Sequence, residues 1–140
     1  MEGFKIITAG NEEIKFKFYQ DAPLTSNAFA QILPFTRIFY HAKVSGQEIW
    51  IDDVPPLYII QENASVFTHP GEVVVGPAKP LRTKTANCFG IYYGNGKGLD
   101  AANIFARVIE EDLQKLIELG NDIWKCGSQE IIVTSLDGDY

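Results

Sequence analysis

Few side chains in this sequence are equipped for chemistry, and they are scattered. His41 stands near the end of the run Phe35-Thr36-Arg37-Ile38-Phe39-Tyr40-His41-Ala42-Lys43-Val44. Its imidazole is the one side chain that ordinarily gives and takes protons near neutrality. At a strand end it either bonds to backbone or contacts a ligand as a general base. On a strand, Phe35, Arg37, Phe39 and His41 share one face, which places the Arg37 guanidinium in the same strip. Glu62 and Asn63 follow the apolar run Leu57–Ile60. Aimed at a cavity they could hold an amide or amine, Glu62 accepting and Asn63 both accepting and donating. Equally, Asn63 could close an Asx turn. Trp50 reads as a core ring or as a stacking wall. Tyr93 and Asn103 flank Gly94-Asn95-Gly96-Lys97-Gly98 and reach a ligand where that loop forms a rim.

Several chemistries are excluded. The glycine loop is no phosphate cradle. The GxxxxGK[ST] spacing fails because Ile91 stands where its first glycine belongs and Gly98 where Ser or Thr belongs. No HExxH, GxSxG or paired-histidine spacing is present. A metal site from His41, His69 and Glu62 would need the fold to gather them, so neither metal nor cofactor is expected. Lys15 and Lys17 alternate with Phe16 and Phe18, but a net charge of −6 argues against nucleic acid and anionic membranes. No run approaches the roughly 20 apolar residues of a spanning helix, and Met1-Glu2-Gly3-Phe4-Lys5 leads directly into an alternating pattern rather than an apolar leader. Cys88 and Cys126 form no CxxC, and each falls in a predicted strand, which suggests two reduced, half-buried thiols. The expected location is cytoplasmic.

The elements that must position these residues are mostly strands. A hydrophobic content of 46% in 140 residues suffices for one domain, 1–140, with a real core. Phe4–Thr8, the alternation through Ile14, Phe16 and Phe18, and Phe35–Val44 with its partner Ile49-Trp50-Ile51 across Ser45-Gly46-Gln47 read as antiparallel strands. So do Val73–Val75, Ala86–Tyr93, Ile104–Ile109, and a last hairpin of Ile123–Cys126 with Ile131–Thr134. Two helices interrupt them. The first spans Asp21 to Pro34, with Asp21 at the cap, Pro23 in the first turn, and Leu24, Ala28, Ile32, Phe29 and Leu33 on the buried face. The second carries Leu113, Leu116 and Ile117 and closes at Gly120-Asn121. The tail 137–140 is expected to fray. About eight strands, with no crossover helix between each pair, suit an antiparallel barrel with helices over its ends.

Two segments resemble cyclophilins. Asp21-Ala22-Pro23-Leu24-Thr25-Ser26-Asn27-Ala28-Phe29 is similar to their opening helix, and Ile104 to Leu113 is similar to their strand leading into the second helix. The resemblance implies a closed eight-stranded barrel with a helix at each opening. The middle departs from the isomerases. Arg37 to Gly46 lacks their Phe-His-Arg…Gln-Gly-Gly-Asp-Phe spacing, and Leu99-Asp100 leads to Ala101-Ala102-Asn103 without their tryptophan and histidine. The intervening features instead resemble a bacterial and archaeal family of cyclophilin-like proteins of unassigned function. The matching residues are His41, Ser45-Gly46, Trp50, Glu62-Asn63, Pro70-Gly71-Glu72, Tyr93-Gly94, Asn103 and Phe105, with Val44 where an aromatic is expected. Relatives of this barrel occur in allophanate hydrolase and 5-oxoprolinase systems, a kinship of fold rather than of chemistry.

The resulting expectation is a pocket for a small polar metabolite, with His41 and Glu62 as acid/base groups and Trp50, Asn63, Tyr93, Asn103 and Arg37 as ligand contacts. Alternatives are a degenerate prolyl isomerase and an accessory module whose exposed aromatics, such as Tyr40 and Trp124, form a homo-oligomer interface.

Overall fold

The computed structural model describes residues 2–138. It is mainly β, with eight strands in one antiparallel sheet and two α-helices among the described residues. In chain order these are β1 (Gly3–Ile7), β2 (Glu13–Phe18), α1 (Pro23–Ile32), β3 (Phe35–His41), β4 (Gly46–Ile51), β5 (Ala64–Phe67), β6 (Glu72–Val75), β7 (Phe89–Val108), α2 (Leu113–Cys126) and β8 (Ser128–Ser135). The sheet runs β2-β1-β8-β3-β4-β7-β5, β6 pairs with β7, and β2 also pairs with β7. Alternation in β2 is clean: Ile14 and Phe16 are buried while Lys15 and Lys17 face out.

β7 carries the architecture. Val73 of β6 faces Ile91 across one edge and Ala106 across the other, so the two ends of β7 flank β6. The chain at 94–102 must therefore swing out and return between them, which is why the glycine-rich stretch lies there. β5 pairs along this excursion, Ser65 with Ala102 and Phe67 with Lys97.

α1 acts as a plug largely with the face its sequence suggests, Leu24 excepted, but not with the cap. Leu24 is 57% exposed, and the buried residues are Thr25, Ser26 and Phe29, with Ala28, Ile32 and Leu33 packed beside them. Phe29 carries the plug: its ring lies 4.9 Å from Phe4, 4.9 Å from Phe105 and 5.2 Å from Phe89, joining β1 to both ends of β7 through one side chain. Asp21 makes no cap and Ala22 holds the N-cap position. The cap comes from a distant loop. Glu62 accepts hydrogen bonds from Leu24 N at 3.2 Å, Thr25 N at 2.8 Å and Thr25 Oγ1 at 2.7 Å. A carboxylate supplied across the fold leaves no trace in the local sequence.

The second helix runs past its expected end. It continues through Gly120 and Asn121 to Cys126, so Ile123–Cys126 is helix rather than strand, and the partners of β8 are β1 and β3. Gly120 is there for close approach: a Cβ would overlap the Tyr93 ring. Leu116, Leu119, Gly120 and Ile123 keep one buried stripe going across it. The helix ends at Gly127, whose φ of 95° favours glycine. Cys126 is consequently exposed on the last helical turn, and Cys88 is partly buried just before β7. Of the tail expected to fray, Gly138 N donates to Ser135 O in a turn, and 139–140 lie outside the described residues.

Candidate functional site

The β3–β4 hairpin and the first half of β7 set the chemistry. Tyr40 pairs with Trp50 and His41 with Ile49, while Ala42 N donates to Glu48 O at 2.9 Å. Ser45, buried in the hairpin turn, donates from Oγ to Glu48 Oε1 at 2.5 Å. Glu48 itself is only 9% exposed. Its carboxyl occupies the place of a missing side chain, since a Cβ on Gly90 would collide with Glu48 Oε2. Burial pushes the Glu48 carboxyl up to about 7, against the pull of hydrogen bonds from Ser45 and Tyr92. Tyr92 is raised in turn by burial and by the neighbouring Glu48 charge. Cys88 is pushed up to about 11 by burial, then by Glu48 and Asp52, so it stays a thiol.

These groups open on a cavity of about 610 Å³. Its aromatic wall is Tyr40, His41, Trp50, Tyr92 and Trp124. Thr68 and Thr85 are also among its lining residues, and their hydroxyl oxygens are buried without a partner among the described residues. A concave, largely apolar enclosure with a few converging polar groups is the ordinary form of a small-molecule site.

His41 bonds to backbone, as one reading of it expected, and it also lines the cavity. Nδ1 lies 2.8 Å from Ala42 O and Nε2 lies 2.6 Å from the Tyr93 hydroxyl. A carbonyl only accepts, so Nδ1 carries a hydrogen and Nε2 faces the Tyr93 hydroxyl. Burial raises the Tyr93 phenol, keeping it a donor. Trp124 meets the His41 ring edge-on with centroids 4.8 Å apart.

The expected site residues divide into three groups. His41 and Trp50 line the cavity, with Tyr93 immediately behind His41. Glu62, Asn63 and Asn103 gather elsewhere, under the start of α1. Asn103 is fully buried, accepting from Glu62 N at 3.0 Å and donating to Thr25 Oγ1 and Ile60 O. Asn63, at φ 48°, donates to Ile104 O at 2.9 Å. Every polar atom named there has a protein partner, and the hydrogen bonds from α1 outweigh partial burial to hold the Glu62 carboxyl below its ordinary range. Arg37 lines a separate cleft of about 370 Å³ with Asp52, Asp53 and Glu130, donating to Asp53 O at 3.1 Å. Sequence reasoning missed Glu48. Its signal was present: a charged residue directly before Ile49-Trp50-Ile51, in phase with Trp50, on a strand whose partner supplies His41. No three His, Cys, Asp or Glu residues cluster as metal ligands among the described residues.

The model of the family described as "Protein of unknown function (DUF3830)" matches residues 10–135. The chain belongs to this family. No curated protein matches it. Among solved structures, the chain is similar to McbB in complex with tryptophan, with a TM-score of 0.76 at 19% identity, over 98% of this chain and 46% of that one. It thus spans about half the length of that protein. It is also similar to a cyclophilin-type peptidyl-prolyl cis-trans isomerase of Cryptosporidium parvum, determined in the presence of the dipeptide Ala-Pro. There the TM-score is 0.53 at 18% identity, over 95% of this chain and 96% of that one. At such identities the likeness is one of fold, and the fold is cyclophilin-like.

Proposed function

We propose that this DUF3830 chain is a one-domain, closed cyclophilin-like barrel that binds a small polar metabolite in the cavity between the β3–β4 hairpin and α2. The succession of pairings supports closure: β2 to β1, β8, β3, β4, β7 and back to β2. One observation carries the binding reading. The Glu48 carboxyl, buried without a counter-charge, stands on the wall of a single aromatic-walled space of about 610 Å³. Polar groups buried without full partners cost stability, and a ligand that satisfies them accounts for their presence. McbB, whose structure holds tryptophan, is consistent with a fold that accommodates small metabolites.

In this reading Glu48 takes the acid/base position assigned to Glu62 from sequence, because Glu62 is committed to capping α1. His41 presents a ring edge to the ligand while Tyr93 and Ala42 fix its orientation. A thermal-shift screen of amines, amides, amino acids and carboxylates tests the proposal. At least one class should raise the melting temperature of the wild type and not that of Trp50→Ala. A screen in which nothing shifts the wild type, or in which Trp50→Ala shifts equally, would overturn it.

A further inference from the structure

Glu48 is the one acidic side chain buried on the cavity wall, and no lysine or arginine among the described residues comes within ion-pair distance of it. Both of its polar neighbours, the Ser45 hydroxyl and the Tyr92 phenol, serve it as hydrogen-bond donors. Donors prepare a carboxylate to carry charge, yet the counter-charge is missing from the protein. Aromatic rings supply much of the wall around it, with Val44, Val74 and Leu99 between them. Tyr40 and Trp50 are directly opposed across β3 and β4, and Trp124 closes the other side against His41. An acceptor-only carboxylate inside an aromatic enclosure suits a cation with a flat apolar body.

Resting on the reading of this cavity as a binding site, we propose that its ligand is a small protonated amine bearing an aromatic or flat apolar group. The ammonium pairs with the Glu48 carboxylate and the apolar body lies against Trp50 and Tyr40. Such pairing requires Glu48 to be ionised, so binding releases a proton wherever the free carboxyl is protonated. The other titratable or charged groups lining the cavity are Tyr40 and His41 of β3, Lys43 just after it, Tyr92 of β7, Cys88 and Lys84 before it, and Asp100. Lys43 and Lys84 are exposed, so solvent screens them more than it screens the Glu48 pair. Affinity for the amine should therefore climb as pH rises from about 5.5 towards 7, by up to about tenfold per unit, and flatten above it.

Both tryptophans of the chain line the cavity, so intrinsic fluorescence reports on it. The probes are phenethylamine, phenethyl alcohol and phenylacetate, which share a ring and differ in charge. The full chain should bind phenethylamine at least tenfold more tightly than either of the others, with the preference growing between pH 5.5 and 7. Glu48→Gln, shown to be folded by circular dichroism, should lose the preference and its pH dependence. Equal binding of all three probes, or an amine preference that survives in Glu48→Gln, overturns the proposal. If the alcohol or the acid binds while the amine does not, the ligand class is wrong and the cavity reading stands. If no compound in this set or in the broader thermal-shift panel binds, both fall.

Discussion

Glu48 is costly to keep. Its folded-state pKa of about 7 lies above the ordinary carboxyl value of 4.5, so the native state holds the proton longer than the unfolded chain does. Its contribution is therefore complete below about 4.5 and is lost as pH rises through 7, by roughly 3 kcal/mol. Glu48→Gln has no charge to desolvate. The stability gap between Glu48→Gln and wild type, measured by urea unfolding at pH 4.5 and pH 8, should widen in favour of the variant at the higher pH. A constant gap would mean that Glu48 titrates as an exposed carboxyl does. A residue that weakens its own fold at neutral pH, held in place by Ser45, Tyr92 and the missing side chain of Gly90, fits a functional demand better than a structural one.

At the scale of elements, α1 and α2 show how much local sequence conveys. Pro23 in the first turn and Pro34 beyond the last mark α1 correctly, because proline's missing N–H and fixed φ act on the chain next to it. The cap could not be read, since it belongs to Glu62, which joins the helix only when the loop after Ile60 folds over it. Glu62→Ala should cost about 1–2 kcal/mol, while the cavity probes still bind. A variant as stable as wild type would remove Glu62 from this role. Gly120 misled in the opposite sense. Glycine ends helices often enough that it signals a terminus, whereas here it admits the Tyr93 ring, a contact between residues distant in sequence. Gly120→Ala gains about 1 kcal/mol of helix propensity but forces Tyr93 to shift, an overpacking cost of about 1–3 kcal/mol. Calorimetry should show net destabilisation. A stabilised variant would mean that the Tyr93 ring moves aside freely.

Across the whole molecule, most strands were legible because a period of two survives in β2 and β3, and because two segments resemble cyclophilins, whereas Ile123–Cys126 read as a strand and is helix. The site was half legible. His41 and Trp50 declared themselves by type and position on one hairpin. Asn103 and Glu62 were equally suggestive, yet the returning half of β7 and the loop after Ile60 bring them to α1, where each is satisfied by protein. Nothing in a linear sequence separates a polar residue satisfied by its own fold from one left facing a cavity. That distinction comes from the path of β7, which passes β6 twice and carries Tyr92 and Asn103 to different places. No helix among the described residues is long and apolar enough to cross a membrane, and Tyr40 and Trp124 are exposed aromatics. Both stand at the cavity, and a ligand would cover part of each.

The most direct test is a crystal structure of the full chain purified without refolding from the cells that make it, examined for density not belonging to the protein. The account predicts a small molecule between Trp50 and Tyr40 with a polar end at Glu48. Ordered water alone in that cavity, or a ligand seated instead in the cleft beside Arg37, would contradict it.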